Sequence, residues 1–208
     1  MKLIYIRPLL AIVFRLITGT LNTTEAKTET QKYNTLYKDG NFEIRYYPEA
    51  ILASVVMDGS YDDSRNSGFR TLAEYIFGGN HDKQQIAMTS PVRMSNNEMS
   101  NTMSFVLPSQ FDFDKLPKPV NEKILLHQSK PGYAAVVQYG GYTNKREINK
   151  RKAELSEALN TLDFKYNNNN FEYLGYNPPY QMLNRKNEVL VELSNFDPAE
   201  FQQIMAKE

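Results

Sequence analysis

Apolar and polar positions alternate along most of the chain beyond residue 40. Phe42, Ile44 and Tyr46 fall on one face, and Ile51, Ala53, Val55 and Met57 alternate again after Pro48. A period of two predicts strands, and Pro48, which cannot donate to a ladder, predicts a bend or bulge between them. Gly59-Ser60 closes the run, and Asp62, Asp63 or Ser64 can cap a helix. Phe69, Leu72, Ala73, Ile76 and Phe77 then recur at helical spacing, so a helix with one apolar stripe is expected, stopped by Gly78-Gly79. Ile86 to Met94 reads as extended, with Pro91 at an edge or bulge, and Met103 to Leu107 as a further strand.

The same order returns downstream. Ile124 to Tyr139 predicts a strand kinked at Pro131 and closed by Gly140-Gly141. Asn144 and Glu147 have the spacing of a capping box, and Ile148, Leu155, Leu159 and Leu162 mark a second helical stripe. Asn167 to Asn170 is a turn-forming run, Phe171 to Gln181 reads as extended, and Val189, Val191 and Leu193 alternate as the last strand. Local matches support a repeat: Pro48 to Val56 with Pro131 to Val137, Asp58-Gly59-Ser60-Tyr61 with Gly140-Gly141-Tyr142, and Thr89-Ser90-Pro91-Val92 with Tyr176-Asn177-Pro178-Pro179.

Each half, 41–108 and 122–196, therefore reads as a strand–helix–strand–strand unit. One unit cannot bury its sheet face alone, so two must share a core. The expected fold is α+β: duplicated βαββ units forming a distorted antiparallel barrel or sheet flanked by two helices. A groove on or near the pseudo-two-fold axis is the natural ligand site.

The N-terminus departs from this pattern. Lys2 and Arg7 precede the apolar run Leu9–Phe14, Arg15 follows it, and Thr24-Glu25-Ala26 offers a cleavage site. The run is too short to span a bilayer, which takes about 20 apolar residues. Residues 1–20 read as a signal-like or anchor segment, with membrane association through residues 3–17 an expectation. Residues 21–35 read as a polar linker, and 36–208 as the domain. Export or tethering is favoured over a cytoplasmic location.

Composition narrows the chemistry. Lys+Arg and Asp+Glu are both 24, so net charge is zero, which argues against nucleic acid as the main partner. The absence of Cys excludes disulfides, Cys-zinc sites, iron–sulfur clusters and thiolate-ligated haem. There is no Trp, but 14 Tyr and 11 Phe supply aromatic mass. No HExxH, GxSxG, P-loop or dinucleotide motif occurs, so an enzyme is not expected.

Gly68-Phe69-Arg70-Thr71-Leu72-Ala73-Glu74-Tyr75-Ile76-Phe77-Gly78-Gly79-Asn80, followed by Ile86-Ala87-Met88-Thr89-Ser90-Pro91-Val92, resembles the signature of the SOUL haem-binding family. Phe42 to Pro48 is similar to that family's opening strand, and Pro131 to Tyr142 to its second-half strand. The resemblance covers Tyr33 to Phe196. It implies a duplicated βαββ domain, also found in gyrase-inhibitor-like ligand-binding modules, and non-covalent haem or another tetrapyrrole as ligand.

Haem needs apolar walls, cations for its propionates and, optionally, an axial ligand. The candidate walls are Phe69, Leu72, Ala73, Ile76, Met88 and Met94, although helical spacing serves a core equally well. Arg65 and Arg70 are the candidate propionate partners. His81 and His127 are the only histidines and the candidate iron ligands, with Tyr and Met as further donors. The expectation is a monomeric carrier, scavenger or buffer of haem. The alternative is a module for another small amphipathic ligand.

Overall fold

The computed structural model describes residues 28–57, 61–96 and 101–205, leaving aside the side chains of 61–64, 96 and 204–205. The signal-like segment, Gly59-Ser60 and Met99 lie outside the described residues. Strands form where the period-two pattern runs: β1 (Glu29–Thr30), β2 (Asn34–Asp39), β3 (Phe42–Tyr47), β4 (Ala50–Met57), β5 (Thr89–Ser90), β6 (Val92–Asn96), β7 (Asn101–Val106), β8 (Ile124–Ser129), β9 (Gly132–Tyr139), β10 (Tyr166–Gly175) and β11 (Asn187–Leu193). Helices α1 (Tyr61–Ile76), α2 (Lys145–Thr161) and α3 (Pro198–Met205), with a 3₁₀ turn at Phe113–Lys115, complete the fold. Pro48 and Pro131 fall in the short breaks between consecutive strands, β3 to β4 and β8 to β9, which do not pair with each other.

Nine strands form one antiparallel sheet in the order β2-β3-β9-β11-β10-β6-β7-β4-β8, and β1 pairs in parallel with β5. The sheet is open, with β2 and β8 as its edges, so it does not close into a barrel. The order is symmetric about the β10–β6 seam. β9-β11-β10 on one side answers β4-β7-β6 on the other. The outer strands are exchanged: β3 pairs with β9, and β8 pairs with β4.

One face of the sheet carries the main core. Ile44, Ala53, Val55, Phe105, Ala135, Val137, Val189 and Val191 pack under Leu72, Tyr75 and Ile76 of α1 and Ile148, Leu155 and Leu159 of α2. Each such large side chain contributes about 1.5–3 kcal/mol of burial. Asn144 Oδ1 accepts from Glu147 N at 3.0 Å, so the expected cap of α2 is present. The stripe of α1 is rotated from the expected one. Phe69 and Phe77 are 43% and 67% exposed, while Tyr75 is fully buried. The reason is Gly68: a Cβ there would lie 2.6 Å from Met57 Sδ, so its absence lets α1 seat on β4 along Gly68, Leu72, Tyr75 and Ile76.

The opposite face is also covered. Tyr47, Ala134, Val136, Leu174 and Leu190 form a smaller cluster with Tyr33 and Tyr176 against it. Beside them Glu43, Arg45 and Glu188 are buried as an ionic group.

Three local differences from the sequence reading have physical causes. Asn167–Asn170 lies within β10 rather than in a turn. Pairing of Tyr166 with Leu193 carries the strand through, and a register shift before Phe171 absorbs the extra residues. Residues 29–35, expected as linker, carry β1 and the start of β2, with Gln31 buried. Helix α3 is an addition to the expected pair. Asp197 Oδ1 accepts from Ala199 N at 2.8 Å, and Phe201 packs among Tyr37, Phe164 and Phe196.

Candidate functional site

A cavity of about 430 Å³ opens at the β10–β6 seam. Its floor is Val92 and Met94 of β6, Met103 of β7, and Tyr173 and Gly175 of β10. Tyr173 stands opposite Met94 in register, and Gly175 opposite Val92. One wall is α1, through Arg65, Asn66 and Phe69. The facing wall is the loop from Tyr176 to Arg185, and Thr28, Met88, Thr89 and Ser90 complete the rim. The matched segments Thr89-Ser90-Pro91-Val92 and Tyr176-Asn177-Pro178-Pro179 therefore meet here, one from each half.

Arg185 holds the loop in shape. Its Nη1 donates to the carbonyls of Pro178 and Gln181, both at 2.8 Å, and its guanidinium lies 4.7 Å from the Tyr142 ring centroid. Lys186 N donates to Asn177 Oδ1 at 2.6 Å, closing the base of the loop. Tyr173 donates its hydroxyl to Asn187 Oδ1 at 2.8 Å. Burial raises the Tyr173 pKa above the usual tyrosine value, and the charges of Arg65 and Arg185 partly counter it. Both guanidiniums thus act on the same hydroxyl in the cavity floor. Aromatic, thioether and proline side chains share the lining with the neutral polar Thr28, Asn66, Thr89, Ser90 and Asn177, and Arg65 and Arg185 are its two cations.

The structure divides the sequence candidates. Arg65, Phe69, Met88 and Met94 line the cavity. Phe69 also packs edge-on against Phe105 at 5.2 Å. Leu72 and Ile76 are fully buried in the main core, and Ala73 packs against that core. Arg70 is exposed and does not line the cavity. Neither histidine lines it. His81 is exposed in the loop after Asn80, its backbone N–H donating to Lys118 O at 3.0 Å. His127 sits half-buried on β8, with Nε2 2.9 Å from Ser54 Oγ. Among the described residues no three His, Asp or Glu side chains cluster as a metal site.

Sequence reasoning passes over Arg185, Tyr173 and Tyr176. The available signal is the pair of matched proline segments, since the residues flanking the second one read only as extended chain.

The frame places this chain in the gyrase-inhibitor-like class of α+β folds. The C-terminal domain of EcmrR superposes with a TM-score of 0.56 at 12% identity, covering 79% of this chain and 99% of that one. A hydrolase from Listeria innocua superposes at 0.53 with 11% identity, over 76% of this chain and 94% of that one. Within that class the profile of the SOUL heme-binding protein family matches residues 28–192, and the chain belongs to that family. Human heme-binding protein 2 is 27% identical over 158 residues, 72% of this chain and 77% of the relative. Heme-binding protein 1 of Xenopus laevis is 29% identical over 161 residues, 73% and 84% respectively.

Proposed function

We propose that this chain binds haem or a related tetrapyrrole without covalent attachment, in the cavity at the β10–β6 seam, as a carrier or buffer. The observation that carries the reading is that Arg65 of α1 and Arg185 of the facing loop both line a cavity furnished mainly with aromatic, thioether and proline side chains and a few neutral polar groups. A tetrapyrrole is a flat apolar plate with two carboxylates, and guanidinium is the cation best shaped to take a carboxylate. A volume of about 430 Å³ lies in the range of small-molecule sites.

The residues present fit the group. Phe69, Val92 and Pro178 would flank the plate, and Arg65 and Arg185 would hold the propionates. The soft thioethers of Met88, Met94 and Met103 are donors suited to iron in this cavity. When bound, haem supplies a redox-active iron centre. The protein's part is to shield the plate from water and fix its orientation. The symmetric strand order and the matched proline segments support an origin in internal duplication.

Hemin titration of the full chain tests the reading. A saturable Soret shift at about 1:1 stoichiometry is expected, weakened by Arg185→Ala. No saturable shift at micromolar protein overturns it. A non-haem amphipathic anion would use the same two cations, and competition with hemin would reveal it.

A further inference from the structure

Exposed apolar side chains gather at the mouth of the cavity. Tyr180, Met182 and Leu183 are 84%, 75% and 78% exposed, and Tyr142 is 59% exposed. Phe69, also exposed, and Tyr180 line the cavity itself. Of the ten large hydrophobics exposed among the described residues, Phe69 and Tyr180 line the opening, Met182 and Leu183 stand on the same loop as Tyr180, and Tyr142 lies against Arg185 of that loop. Such grouping marks an interaction surface, whereas single exposed apolar residues need no explanation.

The shape is a ridge rather than a flat patch. Pro178 and Pro179 stiffen the loop, Arg185 ties two of its carbonyls, and Gln181 Nε2 donates to Leu183 O at 3.0 Å. The loop spends its polar groups inwardly and turns three apolar tips to solvent. Arg185 stands behind the tips with no carboxylate at ion-pair distance among the described residues. The Tyr142 ring lies against it. Aromatic and aliphatic tips backed by a guanidinium match the interface of an anionic bilayer, where rings sit at headgroup level and cations meet phosphate.

A second observation points the same way. Thr28, the first described residue, lines this cavity. In sequence, the apolar run Leu9–Phe14 precedes it.

We infer that the loop from Tyr176 to Arg185 is a membrane-contact ridge that sets the cavity mouth against an anionic lipid surface, from which an apolar ligand enters. The inference rests on the cavity being the ligand site. Apolar cargo partitions into bilayers, and a mouth seated on lipid lets it pass without crossing water.

The chain has no Trp, so one introduced indole is an unambiguous reporter. The full chain carrying Tyr180→Trp is mixed, without hemin, with phosphatidylcholine–phosphatidylglycerol vesicles. The expected result is a blue shift and strong quenching by brominated acyl chains. The same chain carrying Phe77→Trp instead, with its indole exposed at the end of α1 and away from the cavity, should show neither. Vesicle binding with the ridge reporter unquenched means the N-terminal segment alone attaches, and overturns the inference. So does failure to bind vesicles. A blue shift that needs only higher protein concentration assigns the ridge to a second copy of the chain, and overturns it too. Hemin titration of Met182→Ser/Leu183→Ser in solution separates the two readings. Saturable hemin binding alongside an unquenched ridge reporter sinks only the ridge, and absent hemin binding sinks the cavity reading.

Discussion

Arg45 holds Glu188 by two parallel hydrogen bonds, Nη1 to Oε2 and Nη2 to Oε1, each 2.9 Å, although their strands are not neighbours. Strand β9 lies between β3 and β11. In register Arg45 stands opposite Ala134 and Glu188 opposite Gln138, so the pair spans β9 diagonally. Arg45 Nε donates to Glu43 at 2.7 Å, Tyr47 Oη lies 3.0 Å from Nη1, and Tyr176 donates to Glu188 at 2.7 Å. The group is enclosed and well bonded, so its loss is costly in a way its presence is not stabilising. Glu188→Gln should destabilise the fold by about 3 kcal/mol or more, read as a lower urea midpoint at unchanged slope. Arg45→Met/Glu188→Leu should recover part of that loss, because neither member of the pair is then left as a lone charge.

The same group makes stability fall in acid. Burial alone would raise the pKa of Glu43 and Glu188. The bonds from Lys38 and Arg45 to Glu43, and from Arg45 to Glu188, outweigh it and hold both below the usual carboxylate value. Their contribution is therefore present above that usual value and is lost as pH drops through the depressed one. At the alkaline end, burial pushes Tyr47 and Tyr75 up to about 12. A raised acid pKa stabilises the fold below the ordinary tyrosine value and withdraws that stability as pH climbs toward 12. Absorbance titration should show Tyr47 and Tyr75 ionising only as the fold is lost.

Gly79 stops α1 where a side chain does not fit. A Cβ there would lie 2.7 Å from the carbonyl oxygen of Glu74, to which Gly79 N–H donates at 2.8 Å. Gly79→Ala should cost about 1–3 kcal/mol by thermal or urea unfolding. Gly132→Ala, with nothing within 4 Å of the added carbon, should be close to neutral.

In the cavity, Arg65→Ala and Arg185→Ala should each weaken hemin binding by about tenfold, the worth of one charge-assisted contact. His81→Ala and His127→Ala should leave the Soret titration unchanged, since neither side chain lines the cavity. A spectrum altered by His127→Ala would move the site away from the seam and onto β8.

Most of the frame is readable in the sequence because alternation and stripes are local. Val189 and Val191 announce a strand, and Asn144 with Glu147 a helix start, without reference to distant chain. What stays hidden depends on partners far along the sequence. Nothing near Phe69 tells that Tyr75 will take the core position, because Met57 behind Gly68 decides how α1 rotates. Asn167–Asn170 has turn chemistry, yet pairing with β11 overrides it. In the cavity, Arg65, Phe69 and Met88 are legible as candidates, whereas Arg185 is not. Its role comes from carbonyls presented by a loop whose shape has no periodic signature. The histidines draw attention for their chemistry alone, and geometry places both elsewhere.

The exchanged outer strands bear on how the chain is made. β3 leaves the ribosome early but, apart from its short neighbour β2, can find its ladder only in β9, and β4 must wait for β8 to cover its far side. A nascent first half therefore exposes unpaired edges until β8 and β9 emerge, a hazard for aggregation. Cutting the chain between β7 and β8 would remove a ladder partner from both halves. The exchange ties the two halves together through long-range ladders that close only once β8 and β9 have been made.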